Sequence, residues 1–98
     1  MNVFIYDGSF DGFLTLIFEV FRLKIFPQAI LTDGETPPLL STKVFEVSTD
    51  REKAGRVGAG LEKKLSRLAL RQIMHAWLTE EKEALETALR YVRAIYAG

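Results

Sequence analysis

Ninety-eight residues, 48% hydrophobic and 27% charged, fit one globular domain or the N-terminal portion of a longer one, and exclude a disordered chain. Thirteen basic and thirteen acidic side chains cancel, and the absence of cysteine excludes disulfides, thiolate metal sites and a Cys nucleophile. The longest mainly apolar stretch, Phe13 to Phe26, is interrupted by Glu19, Arg22 and Lys24 and is too short and too charged to span a membrane; with no signal-like leader, a cytoplasmic location is expected.

The run "NVFIY" (2–6) is rich in β-formers and stops at Asp7-Gly8, which predicts a short strand buried on both faces. From Ser9 the period changes. Phe10, Phe13, Leu14, Ile17, Phe18, Phe21 and Ile25 recur at i, i+3, i+4, i+7 spacing, which predicts a largely buried helix capped by Ser9 and ended by Pro27. Residues 28–42 carry Asp33-Gly34 and Pro37-Pro38 and are expected to form a loop. "KVFEV" (43–47) predicts a second strand with Phe45 and Val47 on one face, parallel to the first through a right-handed crossover.

Beyond Val47 the pattern is helical. Ser48, Thr49 and Asp50 are candidate caps for a helix from about Arg51 to Leu65, in which Gly55, Gly58 and Gly60 are unfavourable. Ser66 is a candidate cap for the next helix, residues 67–78, and Thr79 for the last, whose stripe is Leu85, Ala88, Leu89, Val92, Ile95 and Tyr96. The expected class is therefore α+β: a βαβ start with a small two-stranded parallel sheet, then three helices. Two strands make a marginal sheet, so an incomplete one is expected.

The stretch "YDGSFDGFL" (6–14) invites three readings: a calcium-binding loop, a capped strand-to-helix turn, and an anion site on the exposed N–H groups of the helix start. Asp7, Ser9, Asp11 and Gly12 match the first half of a calcium-binding loop, but the twelfth position from Asp7 should be a bidentate Glu and is Phe18. The better supported reading is a strand-to-helix turn, with Ser9 as cap and Asp11 complementing the helix dipole. Asp7 and Asp11 also argue against a phosphate at that helix start. No metal site, cofactor or catalytic residue is assigned.

Charge is unevenly spread. Residues 50–71 hold seven basic and three acidic side chains, against three and six in residues 1–49. Arg51, Lys53, Arg56, Lys63, Lys64, Arg67 and Arg71 form the best candidate nucleic-acid contact, since phosphates need only positive charge within reach. Lys63, Arg67 and Arg71 recur every four residues. "GRVG" (55–58) has the spacing of the KH-domain phosphate loop, although helix packing accounts for those glycines more simply. His75 is the only histidine and is expected to pack at a helix boundary. Trp77, Tyr91 and Tyr96 are either base-stacking or core aromatics.

"VFIYDGSFDGFLTLIFEVF", "FPQAI", "VSTDREKAGRVGAGLEKKLS" and "YVRAIYAG" together resemble the N-terminal part of a bacterial family of DNA-metabolism proteins. Its domain of unknown function stands beside a radical S-adenosylmethionine protein or is fused in front of a uracil-DNA glycosylase-like domain. The resemblance implies an accessory role in DNA modification or repair, with DNA and one of those enzymes as partners. Family members continue beyond the counterpart of "YVRAIYAG" into a region rich in Arg, His and aromatic residues. The residues themselves support a second expectation, a non-catalytic protein–protein module that forms homo-oligomers or docks on a partner enzyme.

Overall fold

The computed structural model describes residues 2–39, 43–65, 67–79 and 81–97. Its elements in chain order are β1 (Asn2–Tyr6), α1 (Phe10–Leu23), β2 (Ala29–Thr32), β3 (Lys43–Glu46), α2 (Arg51–Leu65), α3 (Arg67–Leu78) and α4 (Lys82–Ala97). The class is α+β, and the sheet is a small open one of three parallel strands in the order β2-β1-β3.

The third strand corrects the expected pair. Residues 29–32, Ala-Ile-Leu-Thr, lie within the stretch assigned to a loop, but they pair with β1 in the register Phe4 to Ile30 and Tyr6 to Thr32. Four residues are too few to establish a period, and the surrounding Asp-Gly and Pro-Pro signals dominate the reading. The expected strand over 43–47 is present and parallel to β1, with Phe4 opposite Phe45. Those two rings stack with centroids 4.8 Å apart.

Alternation along β1 sends Phe4 and Tyr6 to one face and Val3 and Ile5 to the other. The first pair enters the main core with Ile30 and with Phe13, Leu16 and Ile17 of α1, Leu61 of α2, Ile73 of α3, and Leu89 and Val92 of α4. Val3 and Leu31 are also buried.

Helix α1 begins as the sequence predicts. Ser9 is extended (φ −78°, ψ 160°) and its Oγ accepts the Gly12 N–H at 2.9 Å. Its end differs: the helix closes three residues ahead of Phe26 rather than running to Pro27. Lys24 takes the left-handed conformation (φ 57°), and the Ile25 N–H reaches back to the Val20 carbonyl at 3.3 Å. This is a Schellman-type ending, which is local and independent of the proline.

Asp50 caps α2, its Oδ1 accepting the N–H groups of Glu52 (2.9 Å) and Lys53 (3.2 Å). Thr79 serves both helices at this junction. Its N–H bonds the His75 carbonyl and its hydroxyl donates to the Ala76 carbonyl, closing α3, while the same hydroxyl oxygen accepts the Glu81 N–H at 3.4 Å, the expected capping contact ahead of α4. Ser66, and the side chains of Ile95 and Tyr96, lie outside the described residues.

Candidate functional site

All three parallel strands point their carboxyl ends at the same edge of the sheet, the edge where open parallel sheets place their ligands. Three turns meet there. After β1 comes Asp7-Gly8-Ser9, with Gly8 at φ +86°. After β2 comes a type II turn, Thr32 to Glu35: Gly34 at the third position has φ +92°, and the Glu35 N–H bonds the Thr32 carbonyl at 3.1 Å. After β3 come Ser48 and Thr49, leading into α2.

Asp7 ties the first turn to the third. Its Oδ1 accepts the Ser9 N–H (2.9 Å) and the Ser9 hydroxyl (2.6 Å), and its Oδ2 accepts the Thr49 hydroxyl (2.6 Å). Hydrogen bonds from Ser9 and then Thr49 hold the Asp7 carboxyl below its ordinary value. The second glycine of the motif makes room for this latch. A Cβ on Gly12 would stand 2.2 Å from Asp7 Oδ1 and about as close to the Ser9 and Thr49 hydroxyl oxygens as a hydrogen bond, at 2.9 and 3.0 Å. The two Asp-Gly pairs thus serve one junction: Asp7 accepts, Gly8 turns, and Gly12 leaves the carboxylate its space. The carboxylate also takes up the start of α1, where an external anion would otherwise sit.

Trp77 of α3 closes the other side of the first turn. Its indole Nε1–H donates to the Gly8 carbonyl at 3.0 Å, and its ring packs on Phe10 at 5.4 Å. Beyond it a cleft of about 500 Å³ opens at the carboxyl ends of β1 and β2. Its apolar lining is Ile30, Leu78 and Leu85, and its polar lining includes Asp33, Glu35 and Lys82. Glu35 accepts from Thr32 Oγ1 (2.7 Å) and forms an ion pair with Lys82 of α4. Lys82 first and Thr32 second lower the Glu35 carboxyl to about 2. Tyr6, 2% exposed, also lines the cleft, and burial pushes its hydroxyl pKa up. Among the described residues no group of three or more His, Asp or Glu side chains converges as metal ligands.

The basic side chains singled out in the sequence lie elsewhere, on α2 and α3. Ala54, Val57 and Leu61 turn one face of α2 inward. Arg51, Arg56, Lys63, Lys64, Arg67 and Arg71 are exposed. Arg56 pairs with Glu52 at 3.2 Å and Arg67 with Glu62 at 3.5 Å, both well exposed and weak. Lys53 is set apart from the others. Its Nζ bonds Glu19 at 2.7 Å and sits 5.3 Å from the Phe18 ring centre, tying α2 to α1. Burial works against the Glu19 charge, but Lys53 and Arg22 outweigh it and the carboxyl falls below its ordinary value.

The four-residue spacing of Lys63, Arg67 and Arg71 crosses from α2 to α3 and does not follow one helix. "GRVG" is not a loop but lies inside α2. A Cβ on Gly58 would meet Leu14 Cδ1 at an ordinary 3.8 Å, and one on Gly55 would meet nothing within 4 Å. His75 is exposed on α3. Of the cleft, sequence reasoning weighed Asp7 and Trp77 and missed Tyr6, Thr32, Glu35 and Lys82. The signal available was an Asp-Gly turn directly after each of two apolar runs. No protein-family model, curated protein or solved structure matches the chain.

Proposed function

We propose that the chain is an accessory domain of a bacterial DNA modification or repair system, located in the cytoplasm, that contacts nucleic acid through α2 and α3. The observation that carries this reading is the exposure of Arg51, Arg56, Lys63, Lys64, Arg67 and Arg71 on two successive helices, with the apolar positions of α2 turned inward. Exposed basic side chains on consecutive elements suit a phosphate backbone, whose recognition needs positive charge more than fixed geometry. Lys53, engaged with Glu19, contributes to the fold more than to such a contact. The resemblance to the DNA-metabolism family supports the same reading, with a radical S-adenosylmethionine protein or a glycosylase-like domain as partner. Among the described residues no helix is long and apolar enough to cross a membrane.

Fluorescence anisotropy of labelled single- and double-stranded DNA at two salt concentrations tests it. Binding that falls steeply with salt, and that weakens in Lys63→Ala/Arg67→Ala/Arg71→Ala, is expected. Absent or salt-independent binding rejects it.

A second reading, a protein–protein module, rests on a different observation. β2 and β3 are the open edges of the sheet, and Leu39, Leu68, Leu78, Tyr91 and Val44 expose large apolar side chains. Sheet edges and exposed apolar residues both favour association with another chain. Sedimentation at high concentration separates the two readings, since a strict monomer counts against homo-oligomers.

A further inference from the structure

We propose that the cleft at the carboxyl ends of β1 and β2 binds a small organic cation, a primary amine carried on an apolar body. The proposal goes beyond the nucleic-acid reading and uses residues on a different part of the molecule.

Position and size come first. The cleft holds about 500 Å³, inside the range of small-molecule pockets, and lies where parallel sheets gather their ligands. Its lining then selects the ligand. Exposed Leu78 provides apolar wall and half-buried Trp77 aromatic surface, with the buried Tyr6, Ile30 and Leu85 forming the floor behind them, which suits a hydrocarbon or ring and attracts a cation.

The charge is one-sided. Asp7, Asp33 and Glu35 line the cleft against one cation, Lys82, so anionic ligands such as phosphates and carboxylates are disfavoured. Asp7 is already bonded on both oxygens by Ser9 and Thr49. Asp33 is exposed on its turn, and Glu35 already holds an ammonium, that of Lys82. The Lys82 pair demonstrates that the Glu35 and Thr32 corner accepts a primary ammonium group. A ligand amine would take Asp33 and share or replace Lys82 at Glu35, with its apolar body against Leu78 and Trp77.

Trp77 is the only tryptophan in the chain and lines the cleft, so its fluorescence reports occupancy directly. The probes are 2-phenylethylamine, its neutral counterpart 2-phenylethanol, and the anion phenylacetate. The amine is expected to change Trp77 emission saturably, with half-saturation below about 10 mM and at least about tenfold tighter than the alcohol. Asp33→Asn and Glu35→Gln should each weaken the amine by about fivefold and leave the alcohol unchanged. Lys82→Met, which frees Glu35, should tighten the amine. This variant guards against the trivial outcome, because a merely damaged cleft cannot bind more tightly. No saturable change with the amine at about 10 mM, phenylacetate binding as well as the amine, or amine binding indifferent to all three substitutions overturns the proposal.

Discussion

Thr15 and Asp50, 35 positions apart, meet through one hydroxyl: Thr15 Oγ1 accepts the Asp50 N–H at 3.1 Å and lies 3.1 Å from the Asp50 carbonyl. The same hydroxyl is 2.7 Å from the Asp11 carbonyl one turn earlier in α1. Thr15 is 1% exposed. It pins the middle of α1 to the residue that caps α2.

Thr15→Val keeps the shape and removes the hydroxyl, which leaves the Asp50 N–H in a part-buried site without its partner. Unfolding free energy is expected to drop by about 1–3 kcal/mol, measured by urea denaturation. A change within error would mean that solvent reaches Asp50 and replaces the threonine.

Two glycine-to-alanine substitutions should act in opposite directions. Gly12→Ala drives a methyl into Asp7, Ser9 and Thr49 and should destabilise by about 1–3 kcal/mol. Gly55→Ala, on the open side of α2, should stabilise by about 0.5–1 kcal/mol by restricting the unfolded chain. Equal effects would contradict the geometry of the latch.

Acid sensitivity follows from Glu35 and Asp7. Both carboxyls titrate lower in the folded chain than their ordinary values of 4.5 and 3.8, so the unfolded chain takes up protons first as the pH falls. Their contribution to stability is complete above about pH 5, erodes below it, and for Glu35 is gone near pH 2. Urea midpoints measured from neutral pH downward should therefore be flat and then decline. Glu35→Gln should begin lower and decline less, and an unchanged slope would remove Glu35 as a source.

Lys53→Met should weaken the α1–α2 junction by leaving Glu19 with Arg22 alone. Because Lys53 and Arg22 together hold the Glu19 carboxyl down, its titration should move upward in the variant, which carboxyl-directed NMR reads. A Glu19 titration that stays in place would assign the effect to Arg22.

The helices were legible because their signals are local. Phe10 through Phe21 repeat over several turns, Ser9 and Asp50 carry capping oxygens, and helix ends at residues 65, 67 and 78 follow from pattern alone. β2 was not legible, since four residues become a strand through pairing with β1 and not through any preference of their own. The same holds for the cleft. Glu35 and Lys82 are 47 positions apart, and nothing near either in sequence points to the other. The Asp7 motif was half legible: its turn and cap could be read, but the hydroxyl that completes it belongs to Thr49, 42 positions away and one of three candidate caps for α2.

The order β2-β1-β3 also governs how the chain can be assembled as it is synthesised. Its central strand is made first and both neighbours later, so Phe4 waits for Ile30 on one side and for Phe45 on the other. The β1-α1-β2 unit can close once residue 32 is free of the ribosome, but the second flank of β1 stays unpaired until residue 46 has followed. During that interval an apolar strand presents bare amide and carbonyl groups, and a chaperone or a neighbouring chain has its best chance to engage it.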